Sequence, residues 1–210
     1  MSIKERKKRE RRARQQTILN AGVRVFAKHG YHNASIELIA EEAELGKATL
    51  YYYYKSKEEL LIAILAEGIH GFFTKLEDSL QTLESPLDKI RAIISESAAF
   101  FNAHPDYFRL YQYLNTHPTF SERIYQQLHP VIVSKFHLFR ETFSAAKEQG
   151  FIQDIPLNQL ISIFGSLVMS MGIFRNKDLS GKDLMEQSKW IEYIFLNGIL
   201  REGKKLKNNK

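Results

Sequence analysis

The sequence predicts an all-α fold, and three observations predict it. Apolar residues recur at the i, i+3, i+4, i+7 spacing of amphipathic helices along most of the 210 residues. Helix caps, glycines and prolines punctuate the pattern at helical intervals. No stretch alternates with period two for long enough to build a sheet. The expected architecture is an N-terminal three-helix unit containing a helix-turn-helix, followed by an all-helical body.

The elements follow in order. Ile18, Ala21, Gly22, Val25 and Phe26 mark the buried stripe of a first helix, and Gly30 sits where a C-terminal cap with positive φ is wanted. Ser35 N-caps a second helix with Leu38, Ile39 and Ala43 expected inward. A break at Glu44-Leu45-Gly46 precedes a short helix from Lys47 to about Tyr53. Ser56-Lys57-Glu58-Glu59 has the capping-box pattern and opens a long helix to about Leu83. Ser85-Pro86 starts the next, with proline in its first turn, and His104-Pro105 ends it. A short segment spans Asp106 to Asn115. One long helix is expected from about Thr119 to Gln149, kinked at Pro130 and capped by Gly150. Two more are expected at 156–176 and 180–202.

Charge is placed unevenly. Residues 1–14 hold eight lysines and arginines against Glu5 and Glu10, a net of +6; the last ten residues carry +4. The total is also +6, so residues 15–200 are mildly acidic at −4. The basic N-terminal segment reads as a polyanion-binding arm, with a solubilising tail as the alternative; the C-terminal lysines read as a solvated end. With no cysteine, neither a disulfide framework nor a thiolate metal site is possible. No apolar h-region follows the basic start. Residues 155–174 lack charge, but their proline and polar residues favour a buried helix over a membrane span. The seven histidines show no metal-ligand spacing, and no nucleophile elbow or phosphate loop occurs. No metal, cofactor or catalytic residue is expected.

The chemistry concentrates in residues 35–60. Four consecutive tyrosines, 51–54, lie between Lys47 and Lys55. Successive helical residues point about 100° apart, so four neighbours cannot share one interior. Leu50 and Tyr54 are one turn apart and can face inward with Leu45 and Ile39, leaving Lys47, Ala48, Tyr51 and Tyr52 on the opposite face. Ala48 permits close approach to base edges, and Thr49 adds a hydroxyl near the helix start. Lys57, at the next helix N-terminus, suits a phosphate. Helix, tight turn and helix over 35–53 match the motif whose second helix enters the major groove of duplex DNA.

These residues resemble the TetR family of bacterial one-component transcriptional regulators over about 14–65. The resemblance rests on Ile18-Leu19-Asn20-Ala21-Gly22, Phe26-Ala27-Lys28-His29-Gly30-Tyr31, Ser35-Ile36-Glu37-Leu38-Ile39-Ala40 and the run from Gly46 to Leu60. It implies that Lys47, Ala48 and Tyr51 read bases, while Tyr52, Tyr53, Lys57 and the Ser35–Ile36 helix start hold phosphates. Glu44 stands where the family often has glycine, Gly46 where a serine cap is common, and Tyr53 where histidine is common. The domains expected are a basic arm at 1–13, a DNA-binding helix-turn-helix at 14–55, a ligand-binding and dimerisation body at 56–203, and a basic tail at 204–210.

Residues 100–143 hold eleven aromatics. Core packing accounts for most; Phe101, Tyr107, Tyr111, Phe136, Arg140 and Phe143 are the candidates for lining a cavity for a small apolar ligand. Small residues and wide apolar stripes on helices 156–176 and 180–202 suggest half of a four-helix homodimer interface. The function expected is a cytoplasmic homodimeric repressor, released from palindromic double-stranded DNA by that ligand. The alternative is a helical ligand-binding protein or enzyme with an incidental basic arm.

Overall fold

The computed structural model describes residues 2–116, 118–171 and 184–200. Ten helices run through them: α1 Ile3–Asn33, α2 Ile36–Glu42, α3 Lys47–Tyr53, α4 Lys57–Gln81, α5 Pro86–Ala103, α6 Pro105–Thr116, α7 Pro118–Lys135, α8 His137–Glu148, α9 Leu157–Ser170 and α10 Leu184–Ile199. The only strand-like pairing among the described residues is one isolated antiparallel bridge, Ile152 with Leu200. No helix among them is long and apolar enough to cross a membrane. The expected helix ends at 172–176, 180–183 and 201–202, and the basic tail at 204–210, lie outside the described residues.

The chain forms two compact units. The first is Met1–Ile69 with Pro105–Pro130; the second is His70–His104 with Val131–Lys210.

In the first unit, the basic arm is the opening of α1. Ser2 and Glu5 close a capping box, and Arg6 pairs with Glu10 one turn on. Residues 2–14 are exposed, so nothing but helix chemistry holds this segment. The core begins at Ile18 and continues through Leu19, Ala21, Val25 and Phe26. Gly30 has φ 73° and ψ 162°, a region open essentially to glycine, and there α1 kinks. Helices α2 and α6 pack against α1, and α3 against α2.

Ser35 caps α2 as expected, its Oγ accepting the Leu38 N–H. The inward face differs from expectation. Ile36, Ile39, Ala40 and Ala43 are buried, whereas Leu38 is 36% exposed. Positions 36, 39, 40 and 43 keep the i, i+3, i+4, i+7 spacing; Leu38 is out of phase with it. At the start of α4 the Ser56 Oγ accepts the Glu59 N–H, but the Glu59 carboxylate reaches back to the Lys55 N–H, one residue before the cap.

In the second unit α5 is central, with α8, α9 and α10 around it. Ser85 and Pro86 open α5, and His104, the residue before Pro105, leaves the helical region and closes it. Phe139, Phe143, Phe164 and Phe195 join in one aromatic cluster with centroids 4.9–6.1 Å apart. Arg91 ties α5 to Glu192 on α10 at 3.1 Å. The single long helix expected over 119–149 is instead two helices, α7 and α8. The break falls at Phe136 and not at Pro130, which lies inside α7. There the Phe136 N–H bonds three residues back, to Val133 O, while the Ser134 hydroxyl donates to Val131 O. Such local bonds compete with the helical ladder. Gly150, φ 70°, ends α8 in a Schellman motif: Phe151 N–H to Ala146 O and Gly150 N–H to Lys147 O, both 3.0 Å. The chain then turns back on α10, with Gln153 N–H donating to Ile199 O at 2.7 Å.

Among the large apolar side chains on α9 and α10, Ile163, Trp190 and Ile194 are the most open to solvent, at 55%, 54% and 62% exposure.

Candidate nucleic-acid interface

The site is built on the turn between α2 and α3. Glu44 has φ 54°, the positive value expected where glycine is commoner, and it costs roughly 1 kcal/mol in a residue with a side chain. The Leu45 N–H to Ala40 O bond of 2.9 Å holds the turn closed. Gly46 then N-caps α3 with no side-chain hydrogen bond. Leu50 and Tyr54 are buried, as their one-turn spacing requires, and seat α3 on the first unit.

That seating fixes the outer face. Lys47 and Ala48 are exposed, Thr49 and Tyr53 half-buried, and Tyr52 is 65% exposed. Tyr51 is also exposed; its ring centroid lies 5.8 Å from the Lys47 ammonium, and its carbonyl accepts from Lys55 Nζ at 3.1 Å. Tyr52 and Tyr53 stack edge to face at 5.1 Å. Lys47 pairs with the exposed carboxylate of Glu37 on α2. The hydrogen bond from Lys47 draws the Glu37 carboxyl below its usual range, and the same bond raises the Lys47 ammonium. Sequence reasoning did not pair Lys47 with Glu37. Glu37 lies ten residues before Lys47, a separation with no local periodic signal, so only the crossing of α2 over α3 reveals it.

The remaining expected contacts are placed as follows. The Ser35 hydroxyl is used as the α2 cap, and the Ile36 side chain is buried. Lys57, expected to suit a phosphate, directs its ammonium at backbone carbonyls. It donates to Tyr31 O at 2.6 Å, Ala34 O at 2.8 Å and His32 O at 3.2 Å, and lies 4.4 Å from the Tyr31 ring centroid. Partial burial pushes this ammonium below the usual lysine range.

The six expected ligand-lining residues divide between the units. Tyr107 and Tyr111 belong to the first. Tyr111 donates its hydroxyl to Leu65 O at 3.1 Å, and burial holds its phenol well above the usual range. Phe101, Phe136, Arg140 and Phe143 belong to the second. Phe101 and Phe143 are core residues, Phe136 is 41% exposed, and exposed Arg140 donates to Asn158 Oδ1 at 3.0 Å. Among the described residues, no group of three or more metal-ligating side chains could hold a metal ion.

The interface lies inside the segment that matches a known family. The model for bacterial regulatory proteins of the tetR family matches residues 18–64. The fatty acid metabolism regulator protein of Bacillus subtilis is 30% identical over 88 residues, 42% of this chain; the chain spans 45% of that relative's length. The HTH-type transcriptional repressor NicS of Pseudomonas putida is 26% identical over 186 residues, 84% of this chain and 86% of NicS. The structure of FadR from Bacillus subtilis, solved in complex with stearoyl-CoA, shares the fold with a TM-score of 0.79 at 19% identity, covering 88% of this chain and 98% of FadR. The outward lysine–tyrosine face on the short helix behind the tight turn lies within that matched segment, so the similarity to bacterial regulatory proteins of the tetR family covers the helices that build the candidate site.

Proposed function

We propose that this protein is a homodimeric repressor that seats α3 from each protomer in successive major grooves of a palindromic operator, and releases it when a small, largely apolar ligand binds residues 56–203. The observation that carries this reading is the outer face of α3, a row of Lys47, Ala48 and Tyr51 held rigidly by buried Leu50. Lys47, Ala48, Thr49 and Tyr51 read base edges; Tyr52, Tyr53 and the Ser35–Ile36 helix start hold phosphates. The basic segment 1–13 adds attraction that is independent of sequence.

Exposed Ile163, Trp190 and Ile194 support self-association through α9 and α10, since side chains of this size on neighbouring helices gain by mutual burial. For the ligand, Phe136 and Arg140 stand one helical turn apart, an exposed ring beside a guanidinium. That pairing suits an amphiphile with an apolar chain and an anionic head, and the stearoyl-CoA complex of FadR makes acyl thioesters the first class to screen. A regulator of this kind acts in the cytoplasm.

The test is selection of bound duplexes from a fragment library, followed by titration with the selected duplex in the presence and absence of stearoyl-CoA. A symmetric site with half-sites about 34–36 Å or a multiple apart is expected. Equal affinity for random duplex would overturn the DNA reading, and an operator affinity unmoved by every thioester and apolar ligand tried would overturn the release.

A further inference from the structure

Lys57 is the first residue of α4, where a positive charge opposes the helix dipole. Glu58 and Glu59 in the same turn suit the dipole, and Lys57 does not. Its ammonium is directed away from its own helix, to the end of α1. An ammonium has three N–H donors, and here they meet three backbone carbonyls beyond the Gly30 kink: those of Tyr31 and His32 in the last turn of α1 and that of its cap, Ala34. The Tyr31 ring, stacked on Phe26 at 5.7 Å, closes one side of the charge. The carbonyls belong to the four residues that lead from the Gly30 kink to Ser35, the cap of α2.

From this geometry we propose that Lys57 is a positioning residue for DNA recognition and not a phosphate contact. It fixes where α2 begins, and through the α2–α3 turn it sets the angle at which α3 is presented. The inference rests on α3 being the DNA-reading helix, but its first readout does not need DNA. A lysine facing a phosphate would release about one counterion on binding; a lysine fixed on α1 releases none.

The experiment compares wild type with Lys57→Met, which removes the donors, and with Lys57→Gln and Lys57→Arg, which keep some of them. Hydrogen exchange of the peptide spanning residues 31–38 is measured on the free full-length protein. Operator affinity is then measured across a salt series. Lys57→Met should speed exchange in that peptide, and weaken the operator complex roughly tenfold with the salt slope unchanged. Lys57→Arg should recover both readouts, and Lys57→Gln should fall between them at the wild-type slope. A salt slope lower by about one in Lys57→Gln, with exchange at 31–38 unchanged, would make Lys57 a phosphate contact and overturn the proposal. Unchanged exchange with an unchanged slope would overturn it equally. If Lys57→Met does not fold, Lys57→Gln carries the same two outcomes. If wild type prefers no duplex, the DNA reading fails, while the exchange result still decides whether Lys57 holds the α1–α2 connection.

Discussion

Gly68 and Tyr107 form a pair whose energetics can be worked out in sign and size. Gly68 lies inside α4, and a Cβ built on it would stand 2.5 Å from Cδ1 and 2.6 Å from Cε1 of Tyr107. Those are atoms of a rigid ring, not the end of a flexible chain. Overpacking of this kind costs about 1–3 kcal/mol. Alanine in a helix interior gains about 0.8–1 kcal/mol over glycine. Gly68→Ala alone should therefore be neutral to destabilising by about 2 kcal/mol. With Tyr107→Ala already present the clash is gone, and the same substitution should stabilise by about 1 kcal/mol. The interaction energy of the cycle is then roughly 1–3 kcal/mol. Gly71, three residues on in the same helix, has no atom within 4 Å of the position its Cβ would take, so Gly71→Ala is the matched control and should stabilise by about 1 kcal/mol. Urea denaturation followed by far-UV circular dichroism on the five proteins reads all of these. If Gly68→Ala stabilises in the presence of Tyr107 as much as in its absence, the ring does not lie against α4 and the reasoning fails.

Other predictions bear on DNA, the backbone and assembly. Lys47→Ala and Tyr51→Ala should each lose about 1–3 kcal/mol of discrimination between the selected site and single-base variants, read by competition titration; unchanged preference would remove them from the base-reading set. Deleting residues 2–13 should weaken every duplex and flatten the salt slope while leaving the melting temperature of the remainder in place, since the segment is exposed throughout; an unchanged slope in the same salt series would make it a spectator. Gly30→Ala should cost about 1–3 kcal/mol although the site has space for a methyl group, because the backbone there sits at φ 73°; denaturation showing no loss would mean the kink relaxes freely. Ile194→Asp should shift the protein to monomer in sedimentation velocity, and an unchanged sedimentation coefficient would move the self-association surface elsewhere.

The sequence was most legible where one residue settles one backbone feature. Ser35 can cap α2 because its hydroxyl reaches the Leu38 N–H, and α3 runs from Lys47 to Tyr53 as its flanking break and its Leu50–Tyr54 anchor required. Leu38 was misplaced although the signal was present: Ile36, Ile39, Ala40 and Ala43 alone complete the helical stripe. Phe136 carries no such signal. Proline at 130 drew the expected kink, yet a helix tolerates it where neighbouring groups absorb the missing donor, and the break came from hydrogen bonds of Ser134 and the backbone. The partners of Lys47 and Lys57 were illegible for another reason. Glu37 comes within reach of Lys47 only once α2 and α3 have packed, and the carbonyls of Tyr31, His32 and Ala34 come within reach of Lys57 only once α1 and α4 have; long flexible side chains choose among tertiary neighbours that no local periodicity encodes.

The exposure of Trp190 has an optical consequence. It is the one tryptophan in the chain, it stands on α10 beside Ile194, and its ring meets Tyr193 edge to face at 6.2 Å. Excitation at the red edge of the absorption band bypasses the ten tyrosines, so the emission reports this face alone. A half-exposed indole emits at longer wavelength than a covered one. Its emission maximum, and its accessibility to a neutral quencher such as acrylamide, therefore follow the covering of α10 in unlabelled wild-type protein as concentration is raised.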